Sequence, residues 1–176
     1  MAASPEPVQR RIAVLEGADG DGAQALLAAV AARWRAAGAR VVGLIAETHE
    51  LPGRTCAAGF LRDIASGARH PIYLETPPAD TSCHLDGDGM ATACAALMTQ
   101  IADGDLVLLS KFGKLEAAKA GLFPAFEAAL AAGKPVLTTV SDKHRGAWAG
   151  FAPDVVAVPA NERALGDWWG RLHQVR

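Results

Sequence analysis

The sequence is short of cysteine. It has three in 176 residues, Cys56, Cys83 and Cys94, an odd number with no Cys-x-x-Cys spacing. That argues against a disulfide framework and makes a reducing cytoplasm the expected compartment. Long hydrophobic runs are also lacking. None reaches the ~18 residues that a membrane-spanning helix needs, so membrane insertion is not expected. Neither sign of charge prevails: 17 Lys and Arg stand against 19 Asp and Glu, a formal net charge of -2. A nucleic-acid partner is therefore not expected, since its binding surface is usually basic. Residues 1–10 hold Pro5, Pro7 and Arg10 but no apolar stretch. They read as a flexible tail rather than a secretory signal.

What the chain has is apolar bulk. Hydrophobic residues make up 51% and charged ones 20%, which fits a globular protein and not a disordered one. The length suits a single domain, expected over residues 11–176. A run Ile12-Ala13-Val14-Leu15 leads into a glycine-rich turn from Gly17 to Gly22. A helix is predicted from Ala23 to Ala37, with Leu26, Leu27, Val30 and Trp34 at helical spacing and Gly38 as its stop. Residues 40–46 read as a buried strand, which completes a β-α-β unit. Two short strands are predicted around 56–61 and 71–74, with a turn near Ser66-Gly67. Met90, Cys94, Leu97 and Ile101 give a helix with one core face. Residues 105–109 read as a strand and 117–132 as mostly helix, closed by Gly133. A strand at 135–140 carries its proline first, and 155–158 is the last strand. Asn161 is placed as the cap of a final helix carrying Leu165, Trp168, Trp169 and Leu172. This alternation predicts an α/β domain with a mainly parallel sheet and helices on both faces.

Two segments carry chemistry. A glycine-rich turn between a first strand and a first helix lets backbone amides approach an anion, helped by the helix N-terminus. Here the turn is Gly17-Ala18-Asp19-Gly20-Asp21-Gly22-Ala23-Gln24. A phosphate-binding P-loop needs lysine and a hydroxyl after the last glycine. Ala23 and Gln24 stand there, and Asp19 and Asp21 add negative charge. A flexible acidic turn with no ligand is the plainer reading. The second segment is Ser110-Lys111-Phe112-Gly113-Lys114-Leu115-Glu116, expected just past a strand's carboxyl end. Ligands of such sheets gather there, and two lysines three apart suit an oxyanion. The plainer reading is a solvated loop in which Lys114 pairs with Glu116 or another acid.

In the order of these motifs the chain resembles the THEP-type nucleoside-triphosphatases of the P-loop fold. The family's GxxGxGKTT loop corresponds to Gly17-x-x-Gly20-x-Gly22-Ala23-Gln24-Ala25, and its GxRxGF segment, more loosely spaced, to Gly53-Arg54 with Gly59-Phe60. Its Asp-Glu-Ile-Gly-Lys-Met-Glu signature resembles residues 110–116, with the Gly-Lys-x-Glu part kept. The resemblance implies a P-loop-NTPase-like three-layer domain. The departures are grouped: the P-loop lysine is Ala23, the magnesium-binding hydroxyl is Gln24, and the acidic pair is Ser110-Lys111. Phosphoryl transfer depends on that lysine and metal, so ordinary hydrolysis is not expected. A closer resemblance is to a bacterial family of unknown function related to those enzymes. It combines a degenerate loop with Asn/Ser-Lys-Phe-Gly-Lys-x-Glu, a Cys-x-Leu-Asp segment (Cys83-His84-Leu85-Asp86) and a Trp-x-x-Phe (Trp148 to Phe151). For some members it implies an association with molybdate uptake.

The expected function is a non-hydrolytic binding protein. Gly17, Gly20, Gly22, Ala23, Gln24, Ser110, Lys111 and Lys114 would hold a small anionic ligand: phosphate, molybdate, tungstate or a nucleotide phosphate. One alternative is a slow nucleoside-triphosphatase or phosphotransferase, with Lys111 or Lys114 replacing the lost lysine, Glu116 as the acid, and magnesium required. Another is a pseudo-enzyme acting through protein contacts, with Asp19 and Asp21 closed onto Lys111 or Lys114. Cys83 and His84 are weak metal candidates, because their spacing fits no standard zinc pattern and His49, Cys56 or His70 would have to complete the set. Asp86 can instead cap the helix that follows, and Cys94 sits at core spacing. A Ser-His-Asp triad including Ser110 lacks a nucleophile elbow. Trp148 and Phe151 suit a core, an interface or a stacked base. Trp168 and Trp169 cannot both face inward, which leaves one for a homodimer contact.

Overall fold

The computed structural model describes residues 10–49, 58–76, 79, 85–152 and 154–174. Among the described residues there are seven strands, the five parallel ones built from β-branched and leucine-containing runs: β1 Ile12–Glu16, β2 Val41–Thr48, β3 Ala58–Asp63, β4 Arg69–Pro71, β5 Leu106–Phe112, β6 Val136–Val140 and β7 Val155–Pro159. They make one sheet in the order β4-β3-β2-β5-β6-β1-β7. The five strands from β2 to β7 run parallel, and β3 and β4 add an antiparallel edge. The helices are α1 Gly20–Ala36, α2 Gly87–Met98, α3 Lys114–Ala117, α4 Phe123–Ala131, α5 Arg145–Phe151 and α6 Glu162–His173. The protein is thus α/β with a mainly parallel mixed sheet.

Each face of the sheet has its own core. On one side α1 and α6 bury Leu27, Val30, Trp34, Leu165 and Trp168 against Ala13, Ile45, Leu108 and Leu137. On the other, α2 and α4 bury Met90, Cys94, Leu97 and Phe126 against Val42, Leu44, Val107 and Leu109. Cys94 is therefore the apolar thiol its spacing predicted, and burial pushes its pKa up. Helix ends follow their capping residues. Gly38 takes φ +98°, its N–H bonds Arg35 O, and the Ala39 N–H bonds Trp34 O, closing α1 with paired bonds. Asp86 accepts from the Asp88 N–H and Asn161 from the Ala164 N–H, each at the start of its helix.

Four expectations need correction. The glycine segment is not a loop from Gly17 to Gly22. Helix α1 begins at Gly20, so β1 and α1 are joined by Gly17, Ala18 and Asp19 alone. Strand β5 does not stop at Leu109 but continues to Phe112, with Ser110 and Phe112 buried and Lys111 exposed. The predicted helix over 117–132 is two helices. Lys119 and Gly121 both sit at φ +60° between them, a left-handed conformation that interrupts a right-handed helix. The strand placed at 71–74 is β4 at 69–71. The Arg10 guanidinium donates to Val155 O, and its carbonyl accepts from Trp168 Nε1.

The aromatic residues are packing elements. Trp148 and Phe151 join Phe112 and Phe126 in one cluster, with Phe112–Trp148 ring centroids 5.1 Å apart. Trp168 is buried, and Trp169 stacks on Trp34 at 5.2 Å, so a partner subunit is not needed to cover it. Cys56, Cys83, His84, Gly53 and Arg54 lie outside the described residues. Among the described residues no cluster of His, Cys, Asp or Glu is arranged to hold a metal, and no helix is long and apolar enough to cross a membrane.

Candidate functional site

Parallel strands all deliver their carboxyl ends to one edge of the sheet, and the residues after them form a crevice there. In this protein Glu16 ends β1, Ala46 to Thr48 end β2, Lys111 lies near the end of β5, Thr139 and Val140 end β6, and Ser141 and Asp142 follow it. Together with Gly17 to Asp21 and Arg145 they line an open cleft of about 640 Å³.

A bulge shapes the β5 side. Leu109 pairs with Thr138 and Phe112 with Val140, so three steps on β5 answer two on β6. The extra residue releases Ser110 from the ladder and turns Lys111 to the cleft, as bulges beside sites commonly do. The freed Ser110 carbonyl accepts from Thr139 Oγ1 at 2.8 Å and from Gln24 Nε2 at 2.9 Å. Gln24 Oε1 in turn accepts from the Ala46 N–H at 2.9 Å. One side chain on α1 thus clamps the ends of β2 and β5. It stands where a magnesium-binding hydroxyl would, and both ends of its amide are taken.

The charges of the cleft are mixed. Its lining has five carboxylates (Glu16, Asp19, Asp21, Glu47 and Asp142) and two cations (Lys111 and Arg145). Arg145 is committed. Its Nε meets Asp142 Oδ1 at 3.0 Å and its Nη1 meets Glu16 Oε1 at 3.4 Å, and these hydrogen bonds, Asp142's first, raise its pKa. Glu47 is held by Arg62 at 2.7 Å and Arg69 at 3.7 Å. Asp19, Asp21 and Lys111 make no ion pair among the described residues. The closed pairs between these aspartates and Lys111 or Lys114, expected of an inert scaffold, do not form.

Of the predicted ligand-binding residues, Gly17, Gly20, Gln24 and Lys111 line this cleft; Gly22, Ala23, Ser110 and Lys114 do not. Ala23 is 1% exposed in the α1 core, and its N–H is spent on Asp19 O. Ser110 is buried, and Lys114 is an exposed residue opening α3. The first amides of α1, at Gly20, Asp21 and Gly22, have no acceptor within the helix. Glu116 is 4% exposed. Its Oε2 accepts from the Gly113 N–H at 3.0 Å and its Oε1 from the Leu122 N–H at 2.9 Å. The Gly-Lys-x-Glu segment is therefore a folding unit in which the glutamate ties both ends of a turn, and its carboxylate does not reach the cleft. Sequence reasoning missed Arg145, Glu16, Asp142 and Ser141, whose Oγ lies 2.6 Å from His144 Nδ1. Polar residues just after the strand at 135–140 were the available signal.

A family model described as "Protein of unknown function (DUF2478)" matches residues 12–168. A curated relative, Molybdenum import ATP-binding protein ModC 2 of Bradyrhizobium diazoefficiens, is 33% identical over 163 residues. The match covers 92% of this chain but 18% of that protein, so the chain corresponds to a minor part of its length. No solved structure matches.

Proposed function

The chain belongs to the DUF2478 family, and we propose that within it this protein is a non-hydrolytic binding module for a small oxyanion or a nucleotide phosphate, on a degenerate P-loop scaffold. The relative's name speaks of ATP binding and molybdenum import, which supports a nucleotide-related origin and keeps molybdate among the ligands. The observation that carries the reading is Lys111. The β5 bulge turns this ammonium, which makes no ion pair among the described residues, to the cleft that also contains the opening of α1. An anion there meets a compact positive charge and the unspent amides of a 17-residue helix. Asp19 and Asp21 oppose it and keep the affinity modest.

Retained hydrolysis has little support. The lysine position is the buried Ala23, the hydroxyl position is the bonded Gln24, and Glu116 is fully engaged away from the cleft. The lysine and the metal-binding hydroxyl on which phosphoryl transfer depends on a P-loop scaffold are thus replaced at both positions. Isothermal titration against molybdate, phosphate, ADP and ATP tests binding, and phosphate release from ATP with magnesium tests turnover. Heat with at least one ligand, lost in Lys111→Ala, and no phosphate release are expected. Silence with all four ligands, or turnover with magnesium, would refute the reading.

A further inference from the structure

A second groove, of about 770 Å³, runs beside the cleft and shares with it the wall formed by Asp21, Gln24, Ala46, Glu47 and Thr48. It ends on Phe60, Arg62 and Arg69 at the antiparallel edge of the sheet. Side chains alternate along β3: Leu61 enters the core with α2, so Phe60 and Arg62 face the other way, toward the groove. Arg62 and Arg69 are register partners. Like charges directly opposite each other are unfavourable, and one carboxylate, Glu47, serves both. It sits 2.7 Å from Arg62 Nε but 3.7 Å from Arg69 Nη2. Arg69 is held instead by Phe60, with its guanidinium carbon 4.1 Å from the ring centroid. Stacking on a ring fixes the plane of a guanidinium and leaves its N–H edge open. Over the whole groove Arg62 and Arg69 are balanced by Glu47 and Asp21, so the positive charge is local: it gathers at the edge strands, where Phe60 preorganises Arg69, in a groove continuous with the Lys111 cleft.

We infer that Arg69, steadied by Phe60 and flanked by Arg62, is a second phosphate subsite, and that the ligand is a chain of linked phosphates spanning from Lys111 to the arginine pair. This rests on the reading of the Lys111 cleft and narrows it. A single tetrahedral oxyanion fills one end only, whereas a polyphosphate meets Lys111 at one end and a guanidinium fork at the other. Glu47, already neutralised, separates the two positions along the shared wall.

Calorimetry with phosphate, tripolyphosphate and ATP on wild type, Arg69→Ala and Arg69→Lys tests it. Arg69 is half exposed on an edge strand, so the fold should survive both changes, and matching thermal melts verify that. Wild type is expected to prefer tripolyphosphate over phosphate at least tenfold. Arg69→Ala should abolish that preference, and Arg69→Lys, which keeps the charge but not the fork, should restore only part of it. ATP binding as tightly as tripolyphosphate would identify the phosphate chain as the recognised group, and tighter ATP binding would assign it to a nucleotide; both support the subsite. Phosphate binding with no preference for the longer chain would overturn the second subsite and leave the Lys111 cleft standing. No binding of any probe would overturn both.

Discussion

Replacing Gln24 by alanine should cost about 2–3 kcal/mol of folding stability. The side chain makes two bonds of 2.9 Å, donating to Ser110 O and accepting from the Ala46 N–H. A net ~1 kcal/mol attaches to each such bond, and an orphaned buried donor adds ~1–3 kcal/mol. The Ala46 N–H would lose this partner, although water from the cleft can reach it; the Ser110 carbonyl keeps Thr139. Those two facts remove most of the orphaning penalty and leave the total at about 2–3 kcal/mol, little more than the two bonds themselves. For a domain of this size it corresponds to a fall in Tm of roughly 5–10 °C. Urea titration followed by tryptophan fluorescence measures it, with an unchanged m-value expected. Gln24→Glu sharpens the test. Its carboxylate can still accept from Ala46 but sets an oxygen against the Ser110 carbonyl. Protonation restores a donor there, so the folded-state pKa lies above the unfolded one. The variant should therefore regain stability, relative to wild type, as pH falls through that raised value, and lose it again as pH rises. Gln24→Ala within 0.5 kcal/mol of wild type, roughly the scatter of ordinary surface changes, would refute the clamp.

Restoring the P-loop residues with Ala23→Lys and Gln24→Thr should not create an ATPase. Ala23 is 1% exposed, so overpacking alone costs ~1–3 kcal/mol, and lower Tm without phosphate release is the expected result. Gly43→Ala should abolish soluble expression: at φ +147° its Cβ would lie 1.9 Å from Leu108 O in the paired strand, a clash of the class that exceeds ~4 kcal/mol. Arg40 holds the Asp105 carboxyl below its usual range, chiefly by side-chain hydrogen bonding. A depressed carboxylate contributes stability above its unfolded value that is lost as pH falls through the folded one, so Asp105→Asn should flatten the acid limb below about pH 4. Urea midpoints measured across that range check it, and an unchanged slope would show the pair to be inert.

The strand and helix order was readable because apolar runs and caps act locally. Gly38, Asp86 and Asn161 each do what their residue type and position indicated. The carboxyl end of β5 was misread because Ser110 and Lys111 look like loop residues. Only the burial of Ser110 and Phe112 around exposed Lys111 reveals a continuing strand, and burial is a tertiary property. Lys119 gives no local warning that it will adopt φ +60° and split a helix; it lies beside Gly121, where a Cβ would come within 2.5 Å of Glu116 Oε1. For the site, strand-end placement brought Lys111 and the glycine turn together. The Glu16–Arg145 contact links residues 129 apart, and Gln24 reaches residues 22 and 86 positions away. No spacing rule encodes such meetings, which depend on the strand order. Lys114 and Glu116 misled for the opposite reason: the retained motif around them stabilises a turn, and its chemistry is structural.

The most direct test of the account is amide chemical-shift mapping of the labelled protein during titration with inorganic phosphate and molybdate. Saturable shifts concentrated at Gly17, Gly20, Asp21, Gly22 and Lys111, weakened by Lys111→Ala, are expected. Shifts centred on Lys114 or elsewhere, or a spectrum that neither anion changes, would contradict it.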